Sequence, residues 1–257
     1  MRKCIFIFVL ALFPILLLAQ ASGGQVTRIG KKQQNAQITG NDDAERIKVW
    51  VDRAQILFDE GDYQGAYEWY SKAAELGDSF AEFAIGALYL YGLYVKQDYD
   101  KAFYWYHKAA LQGEANAFCD LGLLYYNGWG VKKNYQEAFK WYMKSAITLD
   151  EAEAQKQIGI FYYQGLGVSK DYKEAYNWTK KAAVQGLADA QHNLGVLYMN
   201  GHGVKQNSAQ AFYWCMKAAK QGFKLAQLSV AEMYEKGIGT PKSISEAAYW
   251  KQMANEK

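Results

Sequence analysis

The stretch ADAQHNLGVLYMNGHGVKQNSAQAFYWCMKAAKQG, residues 188–222, decides the fold, because the chain writes it out again and again. Tryptophans stand at 69, 105, 141, 178, 214 and 250, spaced by 36, 36, 37, 36 and 36 residues. Around them recur AYEWYSKAAELG, AFYWYHKAALQG, AFKWYMKSAITL, AYNWTKKAAVQG, AFYWCMKAAKQG and AAYWKQMANEK. Between these blocks lies a second one, in the forms AEFAIGALYLYG, ANAFCDLGLLYYNG, AEAQKQIGIFYYQG, ADAQHNLGVLYMNG and LAQLSVAEMYEKG. Its glycine column is Gly86, Gly122, Gly159 and Gly195, replaced once by Ala231; its tyrosine column is Tyr89, Tyr125, Tyr162, Tyr198 and Tyr234. Two independent columns held in phase over the chain mark a repeat architecture.

Within each block the small and apolar residues fall at helical spacing, as in Ala81, Ile85, Leu88 and Tyr89. Between the blocks sit the glycine-rich turns NGWGV, QGLGV, NGHGV and KGIGT. A glycine just past a helix can take the left-handed conformation that closes it, and Gly77, Gly113, Gly186 and Gly222 are placed to do so after the tryptophan-bearing helices. Each unit is then helix, glycine turn, helix, glycine turn. One such hairpin cannot bury its own apolar face, but a stack can. The reading is an all-α solenoid of about six helical hairpins, with units at about 44–78, 79–114, 115–150, 151–187, 188–223 and 224–257.

The amino-terminal residues read as an address. MRKCIFIFVLALFPILLLAQASGGQ has a basic start at Arg2 and Lys3, an apolar run from Cys4 to Ala19, and Ala19-Gln20-Ala21 ahead of Ser22. The order is that of a signal peptide over 1–21, cleaved after Ala21, and the apolar run is too short and too interrupted by Pro14 for a spanning anchor. Residues 22–43 are polar and aperiodic, a flexible leader ahead of the repeat domain at 44–257. The expectation is export to the periplasm or beyond, with no integral membrane segment after signal removal.

The unit A-x-x-x-LG-x-LY-x-x-G-x-GV…A-x-x-WY-x-KAA-x-x-G resembles the Sel1-like repeat (SLR), a relative of the tetratricopeptide repeat. The resemblance covers about Ala44 to Lys257. It implies a right-handed α/α superhelix whose concave face serves as a scaffold for protein–protein contacts. The first hairpin departs from it and reads as an ordinary tetratricopeptide unit. Tyr94 takes the place of the second turn glycine in the next, and Ser145 to Leu149 loses the capping glycine and gains a residue. Exported, cysteine-rich members of the family are penicillin-binding or β-lactamase-like, with a paired cysteine in each hairpin. Those pairs are missing here, no serine begins S-x-x-K, and no G-x-S-x-G or zinc motif occurs. A hydrolase is therefore an alternative carried by resemblance alone, and an envelope- or glycan-associated structural role is another.

Composition narrows the partners. Of 257 residues 51% are hydrophobic and 21% charged, and removing Arg2 and Lys3 from the formal +3 leaves about +1. Such a balance makes no electrostatic case for nucleic acid or an anionic membrane. His107, His192 and His202 show no ligand spacing, so no metal and no cofactor is expected. Cys119 and Cys215 sit nearly three units apart and read as small packing residues rather than a disulfide. Asn177-Trp178-Thr179 matches a glycosylation acceptor but lies across the tryptophan column, where helix packing is the better account. The tryptophans read as packing between hairpins, with Trp129, in its turn, as the exposed aromatic.

The variable positions point to a binding face on the glycine-bearing helices. Three and two residues before the glycine come Phe83 and Ala84, Cys119 and Asp120, Lys156 and Gln157, His192 and Asn193, and Leu228 and Ser229. One residue past the tyrosine come Leu90, Tyr126, Tyr163, Met199 and Glu235. The expectation is a concave groove for a protein or peptide partner, with Tyr126 and Tyr163 as anchors and Asp120, Lys156, Gln157 and Asn193 as hydrogen-bonding groups.

Overall fold

The structure, a computed structural model, describes residues 40–256, all of them in helices, turns and short connections, with no strand among them. The signal-peptide reading and most of the leader lie outside these residues. The chain forms two compact units, one ending at Asp78 and the other beginning at Ser79.

In the first unit α1 (Gly40–Asp59) pairs with α2 (Tyr63–Glu75). Helix α1 begins at Gly40, so the last four residues read as leader are its first turn. Aspartates at 42 and 43 sit there, where the positive end of the helix dipole favours them. The turn Gly61-Asp62 is closed by Asp62, whose side chain accepts from the Gly65 amide at 2.9 Å. Ala54, Ala66, Ala73 and Tyr70 are buried, and the Tyr70 hydroxyl donates to Gln55 Oε1 at 3.1 Å, tying the two helices together.

The second unit is five hairpins. Their first helices, here called A, are α3 (Ser79–Tyr91), α5 (Asn116–Asn127), α7 (Ala152–Gln164), α9 (Ala188–Asn200) and α11 (Lys224–Lys236). Their second helices, B, are α4 (Tyr99–Leu111), α6 (Tyr135–Thr148), α8 (Tyr172–Val184), α10 (Ser208–Lys220) and α12 (Ile244–Asn255). Each B helix opens on a side chain that accepts from its own first-turn amides, namely Asp98, Asn134, Asp171, Asn207 and Ser243. Such a cap is worth about 1 kcal/mol.

The two turn glycines do different jobs. The first closes the A helix in the left-handed region, as at Gly128, Gly165, Gly201 and Gly237. The second lies against the start of the preceding hairpin's B helix. A Cβ on Gly130 would collide with the Tyr99 carbonyl, one on Gly203 with that of Tyr172, and one on Gly239 with that of Ser208. Tyr94 holds this position in the second hairpin at φ 64, a strained angle for a side-chain-bearing residue.

The glycine column is a close-contact position, as its repetition suggests. A Cβ on Gly86 would stand 2.8 Å from the Tyr106 ring and one on Gly122 2.8 Å from the Tyr142 ring. On Gly159 it would meet Thr179 Oγ1, with the Thr179 amide nitrogen at 3.2 Å and the Ala175 carbonyl oxygen at 3.3 Å. On Gly195 it would meet Cys215 Sγ. The residue after each tryptophan is thus the ridge that fills the glycine's groove, and Tyr106 and Tyr142 are fully buried there. The tryptophans themselves are half-buried in four of the six copies. Trp214 packs against a cluster made of Ala182 and Ala183 of the hairpin before it and Ala190 and Leu194 of its own, the packing role expected of the column.

Candidate interaction surface

Neighbouring A helices meet through side chains that the sequence had assigned to a partner. Lys156 on α7 is 8% exposed, and its ammonium contacts Glu153 at 2.5 Å and, on α9, Asp189 at 2.8 Å. Burial alone would pull this ammonium's pKa down, but the two carboxylates outweigh it and the net direction is up, so the charge is kept. His192 on α9 shares a hydrogen bond of 3.1 Å with Ser229 on α11. Burial lowers the imidazole's pKa against the pull of Asp189.

Asp120 is a correction of the same kind. It is 1% exposed, buried between hairpins rather than presented to a groove. Burial, with the Glu151 carboxylate nearby, pushes its pKa up to about 7 against a hydrogen bond from Tyr106. Its Oδ1 has no hydrogen-bond partner. Glu151, just ahead of α7, completes the cluster by accepting from Ser145 Oγ at 2.5 Å and from the Cys119 thiol, and burial raises its pKa as well.

The two tyrosines are half-buried anchors of the fold. Tyr126 lies 5.4 Å from Tyr135 and 5.8 Å from Phe161 of the next A helix; Tyr163 lies 5.2 Å from Tyr172 and 5.6 Å from His202 of the next turn. Trp129, expected to stand free, instead stacks on Tyr99 at 5.0 Å and 11°, and His202 stacks on Tyr172 at 4.4 Å and 5°. Gln157 and Asn193 are half-exposed, Gln157 donating to Glu153 at 3.0 Å.

Helical geometry explains the division. Three before and four after the glycine are seven residues apart and about 20° from the same face, whereas two before lies about 100° away. The first pair points into the contact with the neighbouring hairpin. On the more open side, two before, as at Gln157 and Asn193 but not at the buried Asp120, is joined by one after and five after. The latter two positions carry Leu123, Ile160 and Val196, all half-buried, and Asn127, Gln164 and Asn200, of which the last two are exposed. Sequence reasoning passed over both columns. The signal was available, since both recur at the repeat period as three aliphatic residues and three amides.

Cys119 and Cys215 are buried and form no disulfide with each other, and burial pushes the Cys215 thiol's pKa up to about 11, away from an activated nucleophile. Among the described residues no group of three histidine, cysteine or acidic side chains is placed to hold a metal ion, and no helix is long and apolar enough to cross a membrane.

The comparisons agree with this architecture. Six copies of the Sel1 repeat match, at residues 59–78, 79–114, 116–146, 152–187, 188–223 and 224–257. Among solved structures, the protective antigen c5321 of uropathogenic Escherichia coli, with an SLR fold, is 33% identical with a TM-score of 0.77. That match covers 88% of this chain and 49% of c5321, so the chain spans about half of that relative's length. A Sel1 repeat protein from Oxalobacter formigenes is 34% identical with a TM-score of 0.73, over 80% of this chain and 84% of the other. No curated protein matches the chain. With the repeat covering most of its residues, the chain belongs to the Sel1 repeat family, an all-α helical-repeat scaffold.

Proposed function

We propose that this chain is an exported scaffold that holds a segment of another protein along its A helices, the concave face of a Sel1 superhelix. Protein–protein interaction is typical of the family. The observation that carries the reading is the registered set of half-exposed and exposed columns, Leu123, Ile160 and Val196 beside Gln157 and Asn193 and beside Asn127, Gln164 and Asn200. An aliphatic row flanked by amides suits an extended segment, whose side chains need apolar contact and whose backbone needs donors and acceptors at regular intervals. Lys156, Asp120, Tyr126 and Tyr163 then act by fixing the spacing of the A helices.

Export rests on the Arg2-Lys3, apolar and Ala-x-Ala order of the leader, and a relative that is a protective antigen fits it. Intact-mass measurement of the native protein should give a chain beginning at Ser22, and one still carrying Met1 would sink the export reading.

For the face itself, affinity capture from the exported fraction followed by mass spectrometry identifies the bound protein. The pair Gln157→Ala and Asn193→Ala, joined to Ile160→Ser, should weaken its binding tenfold or more with helical circular dichroism unchanged. Full affinity in that variant removes the A-helix face from the proposal.

A further inference from the structure

A second feature repeats along the B helices. In five successive units the tryptophan is followed three residues later by a lysine whose ammonium lies over its ring. The separations are 3.8 Å for Lys72 on Trp69, 5.2 Å for Lys108 on Trp105, 4.3 Å for Lys144 on Trp141, 4.1 Å for Lys181 on Trp178 and 5.1 Å for Lys217 on Trp214. Lys108 is also paired with the buried Glu82 at 2.9 Å. Lys144, Lys181 and Lys217 are exposed, and no carboxylate lies within ion-pair distance of them among the described residues. One turn further on, the same register carries Leu111, Ile147 and Val184, exposed at 72, 71 and 66%. A wide-open depression of about 640 Å³ is centred on this edge of α8, with Trp178, Lys181, Val184 and Gln185 in its wall. The two acids that border it are engaged, Asp150 accepting from Gln155 and Glu174 from Asn177.

We propose that this outer edge of α6, α8 and α10 docks an acidic, extended peptide segment of another protein, with carboxylates on Lys144, Lys181 and Lys217 and aliphatic side chains on Ile147 and Val184. Charge complementarity selects the sign of the partner: three uncompensated ammonium groups in a row, each held in place by a ring. The aliphatic residues between them select a peptide over a polyanion that has only charge to offer. A glycan is disfavoured because sugars stack on open indole faces, and here the lysines occupy them. Hairpins stacked at ordinary helix distances advance roughly 10 Å, and a chain extended in the polyproline II conformation rises about 3.1 Å per residue with about three residues to a turn. Acids at every third position then share one face and meet successive lysines. This edge is independent of the A-helix face, and either can fail without the other.

The test uses a fluorescein-labelled peptide of four Glu-Val-Ser triplets, titrated with the mature protein and followed by anisotropy. Binding should saturate and weaken with rising salt. The triple variant Lys144→Ser, Lys181→Ser and Lys217→Ser should weaken it at least tenfold. The control triple Lys96→Ser, Lys132→Ser and Lys205→Ser, which removes the same charge from exposed turns, should leave it within twofold. All of these lysines are exposed, and circular dichroism checks that both variants are folded. A peptide with glutamate at every second position should bind more weakly than the triplet peptide. The proposal is overturned by equal loss in the two triple variants, by the absence of binding at millimolar peptide, or by inorganic polyphosphate of matched charge competing as well as the peptide.

Discussion

The hairpin α9–α10 and the junction between α6 and α7 solve one problem with opposite chemistry. Both must close the end of a B helix against the A helices on either side of it. At α9–α10 the solution is neutral: Gln221 at the end of α10 donates to Gln191 Oε1 at 2.8 Å and to the Gly186 carbonyl at 2.9 Å. Gln191, 2% exposed, donates in turn to the Ala183 carbonyl at 3.1 Å. The α7–α8 hairpin repeats the device with Gln185 and Gln155. In the hairpin between them in kind, α5–α6, the buried amide is replaced by Phe118, which packs on Trp141 at 5.7 Å, and no glutamine ends α6. The turn there has an extra residue, and Asp150 takes the left-handed position at φ 51 where Gly186 stands at φ 100. Asp120, Glu151, Ser145 and Cys119 fill the space. An insertion of one residue thus exchanges an amide ladder for a cluster of acids at this junction.

The largest effect expected lies on the glycine column that both regions share. Gly159→Leu drives a side chain into the Thr179 amide and the Ala175 carbonyl, backbone that cannot turn aside, and should cost about 3 kcal/mol or more in thermal unfolding. Gly122→Leu meets the Tyr142 ring instead, which has some freedom to tilt, and should cost less. Equal melting of Gly159→Leu and wild type would show that the stacking register is misread.

Next comes the acid cluster. A carboxyl whose pKa is about 7 folded and near 4 unfolded favours folding most below pH 4, and that contribution is lost as pH rises to 7. Asp120→Asn removes the loss. The variant should melt higher than wild type at pH 8, by on the order of 1–3 kcal/mol, with the gap closing as pH falls to 5. A gap that is flat with pH would mean that Asp120 is ionised and satisfied throughout. The smallest effect belongs to the amide ladder: Gln221→Ala should cost about 1 kcal/mol, the net worth of its hydrogen bonds, at every pH from 5 to 8. A pH-dependent cost there would erase the contrast between the two regions.

The repeat, the hairpins and the close-contact glycines were legible because each is a periodic column, and a packing constraint repeated at every unit leaves its mark at every unit. The site was less so. Lys156 and Asp120 look like groove residues because they vary and are charged, yet variation also marks places where neighbours differ. Lys156 has Asp189 across the interface and Asp120 has Tyr106 and Glu151, partners that no spacing within one helix announces. Trp129 seemed free because turns usually are. Its seat, the ring of Tyr99, like the Tyr172 ring on which His202 stacks, belongs to the preceding unit and lies 30 residues earlier in the chain. Tyr126 and Tyr163 are positioned by the same kind of contact with the unit that follows.

Those seats also give the array a direction in time. The turn of every unit from the third onward rests on the start of the B helix one unit nearer the amino terminus, glycine against carbonyl and, twice, ring against ring. A chain made amino end first therefore presents each new turn with a surface already built, and order can spread in step with synthesis. Shortening the protein from its carboxyl end leaves every remaining turn its seat. Shortening it from the amino end deprives the new first turn of the support against which its glycine was shaped, so the two ends of this repeat are not equivalent places to cut.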